Sequence, residues 1–133
     1  MRDFHLQIVT PDGQIFDGNA ESILVRTENG DVEIMAGHAD YFATLGTGRA
    51  KLTSSAGARE AATSGGFISV KNGKVKLVCT TFEFSDQIDL ARAEAAKEKA
   101  EAAIKKATDD KALDVAKAKL ARALNRISVA KDK

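Results

Sequence analysis

The composition of this chain changes abruptly at Ser85. All ten glycines, the single proline and all seven aromatic residues lie before this position. From Ser85 to Lys133 the chain consists almost wholly of Ala, Lys, Asp, Glu, Leu and Arg. Turn residues and β-branched runs are typical of strands, whereas a segment rich in Ala, Lys and Glu is typical of long helices. The sequence therefore predicts two different structural units, residues 1–84 and residues 85–133.

Charge and apolar pattern exclude several classes of protein. The first segment has 8 basic and 10 acidic side chains and the second has 12 and 9, so their net charges are −2 and +3. Such small charges, without an aromatic residue in the second segment, argue against nucleic-acid binding. No apolar stretch approaches the roughly 20 residues that span a bilayer, and no signal-peptide pattern or cysteine pair is present. We expect a cytoplasmic protein with no transmembrane segment.

Residues 1–84 alternate apolar and polar side chains with the period of a strand. Phe4, Leu6 and Ile8 begin the pattern, and Pro11-Asp12-Gly13 interrupts it with a turn. Asn29-Gly30 and Asn72-Gly73 each separate two apolar runs, which is a strong hairpin signal. Because turn signals recur about every ten residues, the segment is predicted to form an antiparallel sandwich or flattened barrel.

Residues 85–133 carry two apolar stripes with helical spacing. Ser85 or Asp86 can cap the first helix, which leaves Asp89 in its first turn, and Thr108-Asp109-Asp110 marks the break between helices. The stripes contain Leu90, Ala93, Ala96, Ala100, Ile104 and Ala107 in the first helix and Leu113, Ala116, Leu120, Ala123, Leu124, Ile127 and Ala130 in the second. Because alanine buries little area, this antiparallel hairpin should be marginally docked and suited to a switch.

The sequence shows no catalytic constellation. His5 and His38 are the only histidines and Cys79 is the only cysteine, so no cluster has the ligand spacing of a metal site. His38 and Asp40 could share a metal, but an ordinary turn histidine is the favoured interpretation. Cys79 shares an apolar strand face, which favours simple burial, and Ser64 lacks the flanking pattern of a nucleophile elbow. We predict a protein that is not an enzyme and has no metal site.

Two charged features remain. Lys119, Arg122, Arg126 and Lys133 fall within about 60° on a helical wheel and form a basic ridge beside the apolar stripe. Composition alone favours a solvated face for this ridge. The second feature is the segment Ile88-Asp89-Leu90-Ala91-Arg92-Ala93, in which Asp89 and Arg92 could form a surface pair worth only about 0.2 to 0.5 kcal/mol.

Several motifs in order along the chain resemble one family. Ile88-Asp89-x-x-Arg92-Ala93 opens an Ala-rich hairpin, and it follows a β segment containing Gly30-Asp31, Gly37-His38 and Ser64-Gly65-Gly66-Phe67. Together with Val9-Thr10-Pro11-Asp12-Gly13 and the terminal segment from Arg122 to Val129, this series resembles the epsilon subunit of bacterial F-type ATP synthase. The resemblance extends over the whole chain, and the collinear order of individually weak motifs makes it specific.

The resemblance implies a fold, partners and a role. It implies a ten-stranded antiparallel β sandwich, residues 1–84, that binds the gamma subunit and the membrane c-ring, followed by a mobile regulatory hairpin, residues 85–133. The subunit would turn with the central stalk at the cytoplasmic face of the bacterial membrane, as a peripheral protein. In the extended state the hairpin would enter the alpha/beta catalytic hexamer and inhibit ATP hydrolysis. Asp31 and His38 match the c-ring contact loops, and Arg122 and Arg126 match positions that face acidic residues of the beta subunits.

Some members of this family bind ATP in the folded hairpin, which makes ATP a candidate regulatory ligand although no cofactor is required. The matching residues here are Glu83, Ile88, Asp89, Arg92, Ala93, Arg122 and Arg126. Lys99 stands where such members carry a further arginine, so one bidentate contact to phosphate is lost. The loop before Gly37 also lacks the proline that is common in the family, which bears on its rigidity.

A different class of function is left open by the residues. A free-standing β-sandwich interaction module could use the helical hairpin as a dimerisation arm. Co-purification separates the two hypotheses, because a stalk subunit should form a complex with a gamma-type coiled coil and a free module should only self-associate.

Overall fold

The computed structural model describes residues 2–131 and divides them at Phe84 and Ser85 into two compact units. Strands fill the first unit and helices fill the second. The strands of the first unit are β1 Phe4–Thr10, β2 Gly13–Ala20, β3 Ser22–Thr27, β4 Gly30–Met35, β5 Tyr41–Thr44, β6 Gly48–Ser54, β7 Gly57–Ser64, β8 Phe67–Lys71, β9 Lys74–Val78 and β10 Thr81–Phe84. The second unit consists of a short 3-10 helix, Ser85–Gln87, and of α1 Leu90–Lys106 and α2 Asp110–Lys131.

Two five-stranded sheets form the first unit. The first sheet has the order β2-β1-β9-β8-β5 and the second has the order β10-β7-β6-β3-β4. Apolar side chains from the two inner faces form one core between the sheets, as in a sandwich. The largest fully buried side chains of this core are Leu6, Ile8, Ile23, Val25, Ile34, Ile68 and Leu77. The predicted fold class, a β sandwich followed by two helices, is confirmed.

One strand pair departs from the predicted antiparallel pattern. Among the pairings of the described strands, β1 with β9 is parallel, and His5 lies opposite Lys74. The neighbouring pairs β1–β2 and β8–β9 are antiparallel hairpins. The N-terminal strand is thus placed between β2 and a strand from the far end of the same unit.

Both Asn-Gly hairpins are present, but their turns differ. Asn72 and Gly73 are the two turn residues between Lys71 and Lys74, and both have positive φ, 53° and 77°. This is the geometry that favours Asn-Gly in a two-residue hairpin. In the earlier hairpin Gly30 already pairs with Thr27, so Glu28 and Asn29 form the turn. The Thr27 hydroxyl donates to the Gly30 carbonyl at 2.8 Å and accepts from the Asn29 N–H at 3.1 Å, which closes that turn.

Gly65-Gly66 carries the chain from β7 in the second sheet to β8 in the first. Gly66 has φ +93°, and a Cβ atom there would collide with the backbone carbonyl of Val78. Only glycine combines this φ with so close an approach of two backbones. The Ser64-Gly65-Gly66-Phe67 motif is therefore explained by the crossing between sheets.

Candidate functional site

The two long helices form an antiparallel hairpin with a regular seam. We use the word seam for the positions that are buried or half-buried at alternating spacings of three and four residues. In α1 and its C-terminal cap these are Leu90, Ala93, Lys97, Ala100, Ile104 and Ala107, and in α2 they are Leu113, Ala116, Leu120, Ala123, Ile127 and Ala130. Alternation of three and four is the spacing of a coiled coil. Every second seam position in each helix is alanine, which allows close approach of the helices but buries little area.

The structure corrects two positions of the predicted stripes. Ala96 is exposed, and Lys97 occupies the seam in its place. Leu124 is 45% exposed and lies outside the seam of α2. Lys97 has no carboxylate partner among the described residues. The seam of α1 therefore contains one charged side chain, Lys97. The equivalent seam positions of α2, which alternate with its alanines, are all leucine or isoleucine.

The Ile88-Asp89-x-x-Arg92-Ala93 segment forms the start of α1. Asp89 is the N-cap, and its carboxylate accepts a hydrogen bond from the Arg92 N–H at 3.1 Å. The prediction that Ser85 or Asp86 caps this helix is wrong, because residues Ser85–Gln87 form a separate 3-10 turn. Ile88 and Ala93 are buried, and the Arg92 side chain is exposed. The motif thus has a local structural role, a capped helix start, and leaves one guanidinium in solvent.

Several of the predicted ATP-binding residues share one end of the hairpin. Because α2 runs antiparallel to α1, Arg126 lies at the level of the first turn of α1 and Arg122 lies about one turn further in. Both arginines are half-buried. Lys99 is exposed on nearly the same side of α1 as Arg92, about 10 Å along the helix. Glu83 is half-buried in β10 and belongs to the sandwich unit.

The two lysines of the predicted basic ridge are Lys119 and Lys133. Lys119 is exposed on α2, and Lys133 lies outside the described residues. Lys119 also lines a shallow groove of about 390 Å³ between Ala103 of α1 and the first turns of α2. This groove is at the connection between the helices, far from the end that carries Arg92 and Arg126.

Asp31 and His38 lie at opposite ends of β4. Asp31 is the second residue of the strand, and His38 is in the loop that follows Met35, so about 13 Å of strand separates Asp31 from Met35. The structure therefore does not bring the two candidate c-ring residues together.

Asp31 is already engaged within the sandwich. Arg26 lies directly opposite on β3, and its Nε donates to Asp31 Oδ1 at 2.6 Å. The hydrogen bond from Arg26 holds the pKa of the Asp31 carboxyl below its usual value of 3.8, and the positive charge of Arg26 acts in the same direction. Both side chains are about half exposed, so the pair remains open to a partner.

His38 has a turn environment. Its Nδ1 is 2.7 Å from the Ala39 carbonyl oxygen, and its ring meets Tyr41 edge-on at 5.8 Å between centroids. Asp40 accepts a hydrogen bond from the Asn72 N–H at 3.0 Å and so ties this loop to the β8–β9 turn. Among residues 2–131 no group of His, Cys, Asp and Glu side chains has the arrangement of a metal site.

Cys79 and Ser64 have structural surroundings. Burial raises the pKa of the Cys79 thiol to about 12, so the thiol stays protonated and unreactive. Ser64 is buried, and its hydroxyl is 2.6 Å from that of Thr81 on the neighbouring strand β10. Neither residue is placed to act as a nucleophile.

Comparison with known proteins now identifies the family. The beta-sandwich domain of the ATP synthase delta/epsilon chain matches residues 3–85, and the long alpha-helix domain of the same chain matches residues 86–131. The chain belongs to the ATP synthase delta/epsilon family. Its relatives include ATP synthase epsilon chains of Ruminococcus albus, 40% identical over the full length of both chains, and Bacillus velezensis, 38% identical over 98% of both. The predicted resemblance to an epsilon subunit is confirmed.

Solved structures show the same fold. A chain of the mitochondrial ATP synthase of Euglena gracilis, in an assembly of OSCP, F1 and c-ring, has a TM-score of 0.77 at 23% identity; the match covers 90% of this protein and 76% of that chain. A chain from the central stalk and c-ring of the Tetrahymena thermophila enzyme has a TM-score of 0.64 at 13% identity, with 97% of both chains covered. Within residues 2–131 of this delta/epsilon family member, no helix is long and apolar enough to cross a membrane.

Proposed function

We propose that this protein is a non-catalytic subunit of the ATP synthase central stalk, which couples ion translocation to ATP synthesis and restrains ATP hydrolysis through its C-terminal hairpin. Its partners are the gamma subunit, the c-ring and, for the extended hairpin, the alpha/beta hexamer. It acts at the cytoplasmic face of the bacterial membrane as a peripheral protein. The observation that carries the regulatory part is the alanine-rich seam interrupted by Lys97, because such a seam stabilises the folded hairpin only weakly.

The test is reconstitution with the gamma subunit and the catalytic hexamer of the same organism. A chain that ends at Phe84 should still assemble, because the compact unit up to Phe84 contains both sheets and their core. ATP hydrolysis should be faster with this shortened chain than with the full chain. Failure of the shortened chain to assemble, or equal hydrolysis with both, would contradict the proposed role of the hairpin.

The exposed apolar residues of the hairpin argue against the alternative function, a free-standing module with a dimerisation arm. In the described part of α2 the exposed large apolar side chains are Val115 and Leu124. They are nine residues apart and therefore lie on opposite sides of the helix. The apolar seam is already used within the hairpin, so α2 offers no second stripe for another helix.

ATP sensing is a further part of the proposal. A nucleotide that binds only the folded hairpin stabilises it by about 2.7 kcal/mol when the nucleotide concentration is a hundred times its dissociation constant. This free energy is large compared with the stabilisation that a weak seam provides. The exposed Arg92 and the half-buried Arg122 and Arg126 supply guanidinium groups at one end of the hairpin. These groups suit phosphate oxygens.

Calorimetric titration of the full chain with ATP tests this part. Arg92→Ala should weaken binding, and Lys99→Arg should strengthen it by restoring a bidentate donor. Lys105→Arg, an exposed lysine near the connection, is the matched control and should change nothing. If neither the wild type nor Lys99→Arg gives a heat signal at millimolar ATP, the ATP-sensing proposal is wrong. The motif that begins at Ile88 would then serve only to cap α1.

A further inference from the structure

The connection between β4 and β5, residues 36–40, has a composition that allows many conformations. We call it the His38 loop. It contains no proline, and Gly37 has φ 83°, in the region that favours glycine. Its two ends pack against the sandwich core, one through Ala36 and the other through Tyr41, the first residue of β5. The residues between these ends need contacts of their own to keep one conformation, because ordering a backbone costs entropy.

Asp40 supplies one such contact, to the turn between β8 and β9. Tyr41 of β5 lies opposite Val70 of β8, which places Asp40 beside Lys71 just beyond the end of this ladder. The Asp40 Oδ1 atom accepts a hydrogen bond from the Asn72 N–H at 3.0 Å. Asn72 is a turn residue outside the β8–β9 ladder, so the ladder provides no acceptor for its N–H. The bond therefore joins two connections that the sheet itself leaves unlinked.

Other contacts hold the same loop. The guanidinium group of Arg2 lies beside Gly37, and its two terminal nitrogens and Cζ are 3.4 to 3.9 Å from the position that a Cβ atom of Gly37 would occupy. The His38 N–H donates to the Met35 carbonyl at 3.2 Å, and the His38 ring rests edge-on against Tyr41. The loop is thus held within the sandwich unit before any partner arrives, and Asp40 links it to the neighbouring hairpin.

We propose that Asp40 is a positioning residue, which holds the His38 loop through the Asn72 N–H in the conformation that contacts the c-ring. This inference rests on the proposed function, in which His38 is a candidate contact residue. A loop that already has its binding conformation loses less entropy when the partner binds. If the loop is released, the apparent affinity falls in proportion to the fraction of molecules that keep the binding conformation.

The experiment measures the affinity of the purified c-ring for the complex of the full chain with the gamma subunit. Asp40→Ala should lower this affinity about fivefold, which is the effect of losing one hydrogen bond of ordinary net strength. Asp40→Asn should stay within about twofold of wild type, because its amide oxygen can accept from the same N–H. Asp3→Ala is the matched control and should also stay within about twofold, since Asp3 is an exposed carboxylate just before β1, at the same end of the first sheet, and a single exposed substitution has little effect.

Hydrogen exchange tests whether the loop itself is released. The amide protons of Asn72 and His38 should exchange faster in Asp40→Ala than in the wild type, whereas those in the core strand β1 should keep their rates. Exchange in Asp40→Asn and Asp3→Ala should match the wild type.

A proline gives an independent test, because it restricts the backbone without adding a charge or a hydrogen bond. Ala36→Pro combined with Asp40→Ala should recover most of the lost affinity. Met35, the residue before the new proline, is already in strand β4, the conformation that a residue before proline favours.

The outcomes separate this inference from the proposed function. If Asp40→Ala binds the c-ring as tightly as Asp3→Ala does, the inference is overturned and the proposed function stands. An equal loss of affinity in Asp40→Asn and Asp40→Ala would also overturn it, because the charge of Asp40, and not its hydrogen bond, would then act on the partner. Absence of any binding between the wild-type complex and the c-ring would overturn the proposed function and the inference with it.

Discussion

Replacement of Lys97 by leucine should stabilise the helical hairpin. Lys97 is the charged member of the α1 seam and is half-buried. Complete burial of a leucine side chain contributes about 1.5 to 3 kcal/mol, so a half-buried position should contribute about 1 kcal/mol. The charge of Lys97 and its cost of partial burial are removed at the same time. A change of this size lowers the population of the opened hairpin about fivefold.

Native-state hydrogen exchange of the full chain measures this change. Amide protection in α1 and α2 should rise about fivefold in Lys97→Leu, whereas protection in the core strands β8 and β9 should stay the same. Lys99→Leu is the control, because it makes the same chemical change two residues away at an exposed position. Under the proposed function, Lys97→Leu should also speed ATP hydrolysis by the assembled enzyme, since the hairpin would extend less often.

Two results would refute this reasoning. Equal amide protection in Lys97→Leu and Lys99→Leu would mean that a leucine at the seam position stabilises the hairpin no more than a leucine at an exposed position. Lower protection in Lys97→Leu than in the wild type would mean that the alanine-rich seam has no room for a branched side chain, so that overpacking outweighs the gain in burial.

Four further predictions concern single sites. Asp89→Ala should destabilise the hairpin by about 1 kcal/mol through loss of the N-cap, with Asp89→Asn close to wild type in the same thermal melts. Replacement of Arg122 and Arg126 together by alanine should raise ATP hydrolysis by the assembled enzyme and leave the melting of the sandwich unchanged; unaltered hydrolysis would mean that these arginines have no inhibitory role. Cys79 should resist thiol reagents at pH 8 until the sandwich unfolds, because burial raises the pKa of its thiol to about 12; rapid labelling of the folded protein would contradict this. Asp31→Asn should lower the melting temperature slightly at pH 7. Because the pKa of Asp31 is lowered in the folded protein, its stabilising effect is fully present above pH 3.8 and is lost progressively as the pH falls from 3.8 through the lowered pKa, so the difference between variant and wild type should shrink over that range.

The sequence was informative wherever a local rule decides the structure. The break in composition at Ser85 and the turn residues Asn72-Gly73 act over a few positions, so the helices and that hairpin could be predicted. The predicted N-cap of α1 was wrong because three residues could cap the helix: Ser85, Asp86 and Asp89. The 3-10 turn before α1 decides among them, and it leaves Asp89 as the cap. A strict test of alternating spacings of three and four would have placed Lys97, not Ala96, in the seam.

Features that depend on pairing between distant strands could not be predicted. Val9, Phe67 and Val78 are separated along the chain, and each alone looks like an ordinary strand residue. They form a row only because β1 pairs with β9 and β9 with β8 in one particular register. The separation of Asp31 from His38 has a similar origin, because their closeness in sequence conceals the length of β4 between them.

The parallel pairing of β1 with β9 has a consequence for synthesis of the chain. The first strand leaves the ribosome early, but its neighbour on one side appears only when nearly all of the unit up to Phe84 has been made. Until then one edge of β1 stays unpaired, and such an edge invites association with other chains. The hairpin is formed by α1 and α2, which follow each other directly in sequence, so it should form much faster once it emerges. We therefore expect chaperones to bind and protect a nascent chain that stops before β9. A chain that includes β9 should no longer bind them.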